Sequence, residues 1–339
     1  MSELESLTPE DGIDRYLSYR KMEVSKESLQ TYDYRLRKFR RWCDQQEIED
    51  LNELTGRDLD AYERHRREQG IKKTTLKGDM RDVRSAIQYW ERIEAVQEGL
   101  SEKVPVPTPS KRDEVSHETL SSDQVFPLLS YYRNRTPGSR NHALLELLWS
   151  TGCRLSGIRA LDLRDFYPDR GAVWFRHRPD QGTALKNDYS SERVVSIPDR
   201  VVDALEIYIA DHRYRNRDDR GRRPIFTSQQ GRPHKNTFRA WSYQMTQPCR
   251  YRDCPHGYDP SECEFREHGK YSKCPSSKST HPIRKGSISW HLANNVPMEI
   301  VEARCDASRE IIELHYDMRT PEERMEQRRG TVLPKLTYT

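Results

Sequence analysis

Apolar residues in the first third of the chain recur at helical spacing. They lie three or four residues apart from Ser25 onward, and the same spacing returns after residue 74. This spacing places them on one face of an α-helix. Two more helices are predicted from Thr8 and Thr55, hydroxyl residues suited to cap a helix. The predicted core positions are Leu29, Tyr32, Leu36, Phe39 and Cys43 on the second helix, and Leu76, Met80, Val83, Ile87 and Trp90 on the fourth.

The pattern changes after this helical bundle. Residues 106–120 are rich in proline and charge and have no period, which predicts a linker. A helix capped by Ser121 or Ser122 follows, and then an apolar helix over 141–149.

Strands are predicted farther along the chain. Residues 172–179 and 184–198 alternate between apolar and polar positions, as strands do. Helical signals return over 198–212 and after residue 275. The predicted fold class is therefore mainly α with a small β-sheet (α+β).

Composition and charge narrow the possible functions. Charged residues make up 33% and hydrophobic residues 34% of the 339, which is polar, but 18 tyrosines and 6 tryptophans argue against disorder. Residues 1–110 carry 20 Lys and Arg against 23 Asp and Glu, so the net charge of +4 comes from a remainder of +7. No apolar run approaches the about 18 residues of a membrane span. The acidic start does not resemble a signal peptide. A cytoplasmic protein without a membrane partner is expected.

Five residues in the last two-thirds of the chain form one chemical set. Two arginines can bind the oxygens of one phosphodiester, because guanidinium matches phosphate geometry and keeps its charge. A lysine can protonate a leaving alkoxide, a histidine can accept the nucleophile's proton, and a tyrosine can attack phosphorus. Each residue alone is more often a cap, a solvated side chain or a core residue, but their order and spacing indicate phosphoryl transfer. The set is Arg154, Lys186, His281, Arg284 and Tyr316.

The surrounding segments resemble the catalytic domain of the tyrosine recombinase (phage integrase) family over residues 120–325. TGCRLS around Arg154 is similar to the family's TGxRxS turn, and HPIR is similar to its HxxR. Lys186, seven residues before Arg193, resembles the family's β-hairpin lysine. Tyr316 follows Arg284 by 32 residues, as the family's nucleophile does. RKG and HYDMRTPEERMEQRR are similar to archaeal, particularly haloarchaeal, members.

Two positions depart from the family's pattern. The family has Glu or Asp three residues after the first arginine, where this chain has Gly157. It has His or Trp nine residues before the tyrosine, where this chain has Ala307, with Asp306 beside it. A carboxylate repels a scissile phosphate unless it is protonated, paired or directed at another donor. Asp306 is therefore left out of the predicted catalytic set.

The resemblance implies a site-specific DNA recombinase (integrase) that cleaves and rejoins DNA through a 3′-phosphotyrosyl intermediate. Arg154 and Arg284 would neutralise the scissile phosphate, while Tyr316 attacks it. Lys186 would protonate the 5′-hydroxyl and His281 would accept the tyrosine proton. The ester conserves the bond energy, so catalysis needs no cofactor. The implied partners are double-stranded DNA and further copies of the chain, as a tetramer on two DNA sites, in a nucleoid-associated location.

Alternatives remain open at this point. Gly157 and Asp306 leave room for a DNA-binding protein of the same fold without cleavage activity. A Xer-like resolvase and a type IB topoisomerase-like relaxase share the chemistry. The target sequence, the direction of the reaction and a need for host DNA-bending factors are not specified by the residues.

Basic residues on the second and fourth helices are candidate DNA contacts. The fourth helix begins with lysines and threonines, which offer amide, hydroxyl and charge to phosphate. Solvated helix faces are the alternative. With the catalytic set present, DNA contact is favoured. The candidates are Arg37, Lys38, Arg41, Lys72, Lys73, Thr74, Lys77 and Arg81.

Four of the seven cysteines fall within residues 248–278, a segment rich in Pro, Gly, Ser and charge. Such a segment cannot bury a core, so a structural zinc ion is predicted. Its spacings are not those of a standard zinc finger, and unpaired thiols in a reducing cytosol are the alternative. The predicted ligands are Cys249, Cys254, Cys263 and Cys274, whereas Cys43, Cys153 and Cys305 are predicted to be buried.

These patterns together predict a domain organisation. It comprises a helical core-binding (SAM-like) DNA-binding domain over 1–105, a linker over 106–120, and a catalytic domain over 121–325. The zinc-binding insertion lies within the catalytic domain, and a tail spans 326–339.

Overall fold

The computed structural model describes residues 6–116, 118–317, 319–322, 324–326 and 329. The chain divides into two compact units, Met1–Ser116 and His117–Thr339. Both units are built mainly from helices, and the second also contains a three-stranded sheet. The predicted fold class, mainly α with a small sheet, is therefore confirmed.

The first unit contains the four predicted helices. Thr8 and Ser25 cap the first two with their side chains. The fourth begins earlier than the sequence indicated, because Lys72 is its N-cap and Thr74 lies within its first turn. The predicted stripe from Leu76 to Trp90 is buried in the core. The helices are α1 (Pro9–Arg20), α2 (Lys26–Gln45), α3 (Gly56–Glu68) and α4 (Lys73–Arg92).

The segment predicted as a linker contains a short helix, α5 (Lys111–Glu114). Ser110 and Asp113 form a capping box at its start, in which each side chain bonds the other residue's backbone N–H. Such a cap overrides the absence of an apolar period and gives this segment local order.

The second unit is organised around α7 (Arg140–Thr151), whose side chains from His142 onward are all buried. Its apolar residues pack with neighbouring helices and the sheet in one core. The remaining helices are α6 (Ser122–Arg135), α8 (Leu155–Ala160), α9 (Asp199–Ile207), α10 (Lys235–Met245), α11 (Thr280–Ala293), α12 (Met298–Cys305) and α13 (Arg309–His315).

The sheet is antiparallel, in the order β1 (Phe166–Tyr167), β2 (Ala172–Phe175) and β3 (Arg193–Ser196). The two predicted strands are thus shorter than expected. Residues 184–192 are not a strand, since Asp188 has a positive φ of 53° and begins a 3-10 turn that ends at Ser191. This turn interrupts the extended backbone that the alternating pattern predicted.

A satellite core near the end of the chain joins α11, α12 and α13. It contains Ile288, Leu292, Val301 and Ile312, with the ring of Tyr316 at its edge. The predicted tail 326–339 lies almost wholly outside the described residues. Among the helices that the structure describes, none has the length and apolarity to cross a lipid bilayer.

Candidate active site

The turn after α7 carries the first arginine of the site. α7 ends at Gly152, which adopts the left-handed conformation with φ 56°. A Cβ there would lie 2.8 Å from Cys305 Sγ, so glycine is required both by the conformation and by the close packing. The backbone then extends, and Arg154 becomes the N-cap of α8.

Arg284 occupies the centre of the site and is 1% exposed. Its Nη1 donates to the carbonyls of Gly152 at 2.7 Å and Cys305 at 2.5 Å. Its Nε donates to the hydroxyl of Tyr316 at 3.3 Å. This buried guanidinium therefore connects the end of α7, the end of α12 and the tyrosine.

Tyr316 follows the last residue of α13 and is 5% exposed. The guanidinium carbon of Arg284 lies 5.3 Å from the centre of its ring. Ser289 Oγ donates a hydrogen bond to the backbone carbonyl of Tyr316. The hydroxyl is thus held beside a permanent cation.

His281, in the first turn of α11, lies on the other side of the tyrosine. The centres of the two rings are 5.8 Å apart. Loss of hydration lowers the pKa of His281 below its ordinary value, and neighbouring cations, Arg284 first among them, lower it further. At neutral pH the imidazole is therefore uncharged, the form that accepts a proton.

Arg154 interacts electrostatically with Arg284 and Asp306. Burial lowers the pKa of Arg154, and the charge of Arg284 lowers it further, while Asp306 opposes both effects. Arg154 Nη1 forms an ion pair with Asp306 Oδ2, and 28% of the arginine side chain is exposed. The two guanidinium groups are thus close enough for the charge of Arg284 to act on Arg154.

Lys186 lies in the turn between Thr183 and the 3-10 turn at 188–191 and is exposed. Within the described residues it forms no hydrogen bond or ion pair. Its neighbour Asn187 donates from Nδ2 to Asp306 Oδ1 at 3.2 Å. The lysine is therefore tethered to the site through its turn rather than through its own side chain.

Four of the five predicted catalytic residues, all except Lys186, lie close together. The two departures from the family pattern, at Gly157 and next to Asp306, have structural reasons. At Gly157, a Cβ would lie 3.2 Å from the ring of Phe175, so a larger side chain would crowd the sheet. Asp306, left out on sequence grounds, pairs with Arg154 across 152 residues. Its only sequence signal was a position ten residues before Tyr316.

Two further arginines support the site and were missed from sequence. Arg193 Nε donates to the carbonyl of Arg304 at 2.9 Å. Arg304 in turn donates from Nη2 to the carbonyl of Ser150 at 3.0 Å. These bonds fix the end of α12, where Asp306 lies, to β3 and α7. The sequence shows two arginines in unremarkable surroundings, because their partners are backbone atoms of distant segments.

The candidate DNA contacts in the first unit are partly paired with acids. Lys73 and Lys77 face α5, with Nζ 3.8 Å from Asp113 and 3.3 Å from Glu114 respectively. Lys38 is the least available, since only 16% of its side chain is exposed and its Nζ is 3.8 Å from an oxygen of buried Asp79. Arg41, Lys72 and Lys73 are exposed, as are the side chains of Arg37 and Arg81, which pair with Asp33 and Asp82; Thr74 is half-buried.

The four clustered cysteines are free thiols; Cys249, Cys254 and Cys263 are half-buried and Cys274 is buried. Burial raises the pKa of Cys249, and electrostatic interactions with Cys254 and Cys274 act in the same direction. Within the described part of the chain, no three His, Cys, Asp or Glu side chains form a metal-binding arrangement. The prediction that Cys43, Cys153 and Cys305 are buried is confirmed.

The chain is similar to known proteins in both units. The family described as "Phage integrase, N-terminal SAM-like domain" matches residues 13–94. Tyrosine recombinase XerD from Halalkalibacterium halodurans is 26% identical over 67% of this chain and 73% of its own length. Tyrosine recombinase XerC from Pseudomonas savastanoi pv. phaseolicola is 26% identical over 66% of this chain and 70% of its own.

Solved structures show the same fold. The integrase of transposon Tn1549, solved in complex with transposon right end DNA, superposes with a TM-score of 0.65 at 14% identity, over 96% of this chain and all of that one. At this identity the likeness concerns the fold. The matched N-terminal domain, the relatives and the shared fold thus make the chain similar to tyrosine recombinases and phage integrases.

Proposed function

We propose that this chain is a site-specific DNA recombinase that breaks and rejoins strands through a 3′-phosphotyrosyl intermediate. The observation that carries the proposal is the grouping of Arg154, His281 and Arg284 around Tyr316, with Arg284 Nε donating to the tyrosine hydroxyl. Similarity to tyrosine recombinases and integrases over most of the chain supports it.

The arginines would act on the phosphate. Guanidinium groups bind non-bridging oxygens in a fork and stabilise the charge that develops as phosphorus becomes five-coordinate. Arg284 is preorganised by the carbonyls it contacts, so little reorganisation is needed when the phosphate arrives. Its bond to Tyr316 Oη places the attacking oxygen beside the phosphate that it would hold.

The proton transfers would be divided between two residues. Neutral His281 would accept the proton of Tyr316 as its oxygen bonds to phosphorus and the 5′ oxygen leaves. Exposed Lys186 would donate a proton to that leaving oxygen, so the released strand ends in a 5′-hydroxyl. Attack of a 5′-hydroxyl on the phosphotyrosine would reverse these steps and restore the tyrosine.

Trapping the covalent intermediate tests the function. Duplexes that the full-length protein selects from a random-sequence pool would be rebuilt with a nick, so that the cleaved end diffuses away. The wild-type protein should then form a denaturation-resistant adduct, and Tyr316→Phe should bind the same duplex without forming one. Binding by the wild type with no adduct would instead indicate a DNA-binding protein without cleavage activity.

The biological setting is a finer proposal that rests on sequence resemblance. RKG directly after His281-Pro-Ile and the stretch HYDMRTPEERMEQRR favour an archaeal integrase of a mobile element. Strand exchange between two duplexes needs two cleaved sites on each, so we propose a tetramer on two DNA sites. Its place of action would be the nucleoid, where its substrate lies. A Xer-like resolvase would share every one of these chemical features.

We also propose a structural zinc ion in residues 248–278. The chemistry of the donors fits, because zinc prefers thiolates and four cysteines lie within 26 residues of the chain, Cys249 to Cys274. The segment has only short 3-10 turns of regular structure. Zinc bound by Cys249, Cys254, Cys263 and Cys274 would add the folding energy that this segment's few apolar residues cannot.

A further inference from the structure

A carboxylate holds one of the two arginines assigned to the phosphate. Asp306 Oδ2 accepts hydrogen bonds from Arg154 Nη1 and, at 2.8 Å, from Ser191 Oγ. Asp306 Oδ1 accepts one from Asn187 Nδ2 at 3.2 Å. The Asp306 side chain is 14% exposed, so solvent screens these contacts only weakly. Three donors from two distant segments thus converge on one half-buried carboxylate.

The backbone at Asp306 is also specialised. The residue ends α12 in the left-handed conformation, with φ 56° and ψ 61°. Aspartate and asparagine adopt this conformation more readily than other non-glycine residues. The carbonyls of Cys305 and Asp306 accept hydrogen bonds from Arg284 at 2.5 and 3.4 Å. One turn therefore holds both arginines, Arg154 by its side chain and Arg284 by its backbone.

We propose that Asp306 is a positioning residue of the recombination reaction, which orients Arg154 toward the scissile phosphate and fixes the Lys186 turn to the segment that ends in Tyr316. This inference rests on the proposed function. It links the general acid, an electrophilic arginine and the nucleophile through one side chain. Tyr316 lies ten residues after Asp306, so a displacement of this turn would also displace the nucleophile.

The geometry leaves Arg154 able to bind phosphate. Its contact with Asp306 uses Nη1 alone, and within the described residues no other hydrogen bond or ion pair involves this guanidinium. Nε and Nη2 keep their N–H donors, enough for a two-point contact with phosphate. The negative charge of Asp306 is already compensated by its three donors. Asp306 therefore fixes the orientation of the Arg154 guanidinium and leaves free the Nε and Nη2 donors that would bind phosphate.

Asp306→Asn tests the proposal with little change in shape. Asparagine keeps the volume and tolerates the left-handed backbone, but it loses the charge that holds Arg154. On the selected nicked duplex, we expect the single-turnover rate of adduct formation to fall about 10²-fold, as misplaced catalytic groups typically cause. DNA affinity should be unchanged or higher, because a negative charge is lost. Glu302→Gln removes the same charge one turn earlier on α12 and should keep the wild-type rate.

A double-mutant cycle with Arg154→Ala separates positioning from simple stabilisation. If Asp306 acts through Arg154, its substitution should lower the residual rate of Arg154→Ala by no more than about threefold. A loss as large as in the wild-type background would overturn the proposal. So would a wild-type rate for Asp306→Asn.

Ser191→Ala keeps the proposal testable if Asp306→Asn does not fold. Ser191 donates to the same carboxylate oxygen as Arg154, so its loss should slow adduct formation about tenfold. A folded Ser191→Ala protein with the wild-type rate would then overturn the inference. Failure of the proposed function is distinguishable, since the wild-type protein itself would then form no adduct.

Discussion

At the scale of single residues, the two arginines proposed to bind the phosphate have different environments. Arg284 is 1% exposed and its donors point at carbonyls and the tyrosine hydroxyl. Arg154 is partly exposed and has a single carboxylate partner. A buried donor leaves unsatisfied acceptors behind when it is removed, whereas an exposed one is replaced by water. Arg284 should therefore support the fold as well as the chemistry.

Comparison of Arg284→Ala with Arg154→Ala tests this difference. Each substitution should lower cleavage by about 10²–10³-fold, the usual effect of removing one charge-stabilising donor. Arg284→Ala should also lower the free energy of unfolding by about 3 kcal/mol, because several buried carbonyls lose their donor. Arg154→Ala should lower it by only about 1 kcal/mol. Urea denaturation followed by circular dichroism measures both, and equal losses would contradict the distinction.

The lowered pKa of His281 gives a pH prediction. In the proposed mechanism neutral His281 is the base. The cleavage rate should therefore be independent of pH near neutrality, and at pH values below the lowered pKa it should fall about tenfold per pH unit. In the DNA complex the phosphate's negative charge favours the imidazolium, so the fall should begin at a higher pH than in the free enzyme. Single-turnover rates at subsaturating and saturating DNA report the two states.

A matched histidine shows whether His281 is the group that titrates. His281→Asn should cleave more slowly and should not show the fall in rate at low pH. His65→Asn, on α3 of the first unit, should still show that fall. If the cleavage rate of His281→Asn fell at the same pH as that of the wild type, another group would be the one that titrates.

At the scale of elements, the helices were predictable because each carries its own signal. The stripe from Leu76 to Trp90 and the caps at Thr8 and Ser25 are local features of the sequence. The sheet was less predictable, since the turn at Asp188 interrupts a segment whose alternation continues. α10 carries its buried residues on one face, Phe238 and Trp241 among them, but stands outside the predicted elements.

The grouping of the candidate catalytic residues was likewise predictable, but the contacts that support it were not. Order and spacing predict that Arg154, Arg284 and Tyr316 lie together, and the structure groups them. The pairing of Asp306 with Arg154 joins residues 152 positions apart. The role of Arg304 depends on a carbonyl of α7. Neither contact leaves a periodic or local trace in one sequence.

The cysteine-rich segment is hydrogen-bonded to the two residues that follow α10. Gln247 Nε2 donates to the carbonyl of Phe265, in the middle of the segment, and the backbone N–H of Lys278, at its end, donates to Thr246 Oγ1, both at 2.7 Å. Within the segment, Tyr258 and Phe265 pack edge to face, with ring centres 5.8 Å apart. This small aromatic contact is little core for such a segment, which makes a metal ion the expected source of its stability.

Zinc analysis of the purified protein tests that expectation. It should contain about one zinc per chain, and Cys263→Ser should lower that content. Chelation should increase proteolysis within residues 248–278 and leave the rest of the chain protected. Cys43→Ala, which alters a buried thiol of the first unit, should keep its zinc. Metal-free protein that resists proteolysis in this segment would contradict the prediction.

At the scale of the whole molecule, the two units differ in charge and have separate cores. Residues 1–110 have a net charge of −3 from 20 basic and 23 acidic residues, whereas the remainder of the chain has +7. The attraction to DNA phosphates should therefore come mainly from the second unit. In the first unit, DNA binding would depend on local clusters such as the start of α4.

The core of the first unit consists entirely of its own residues, which predicts that residues 1–116 fold alone. Phe39 and Trp90 are fully buried in it, and Trp90 Nε1 donates to the carbonyl of Gly12 at 2.8 Å. The isolated fragment should show a helical circular dichroism spectrum and one cooperative thermal transition. Trp90→Ala should lower the free energy of unfolding by about 3–5 kcal/mol. The thermal transition should then disappear or shift to a much lower temperature. A fragment that unfolds gradually, with no change on Trp90→Ala, would mean that this core needs the rest of the chain to form.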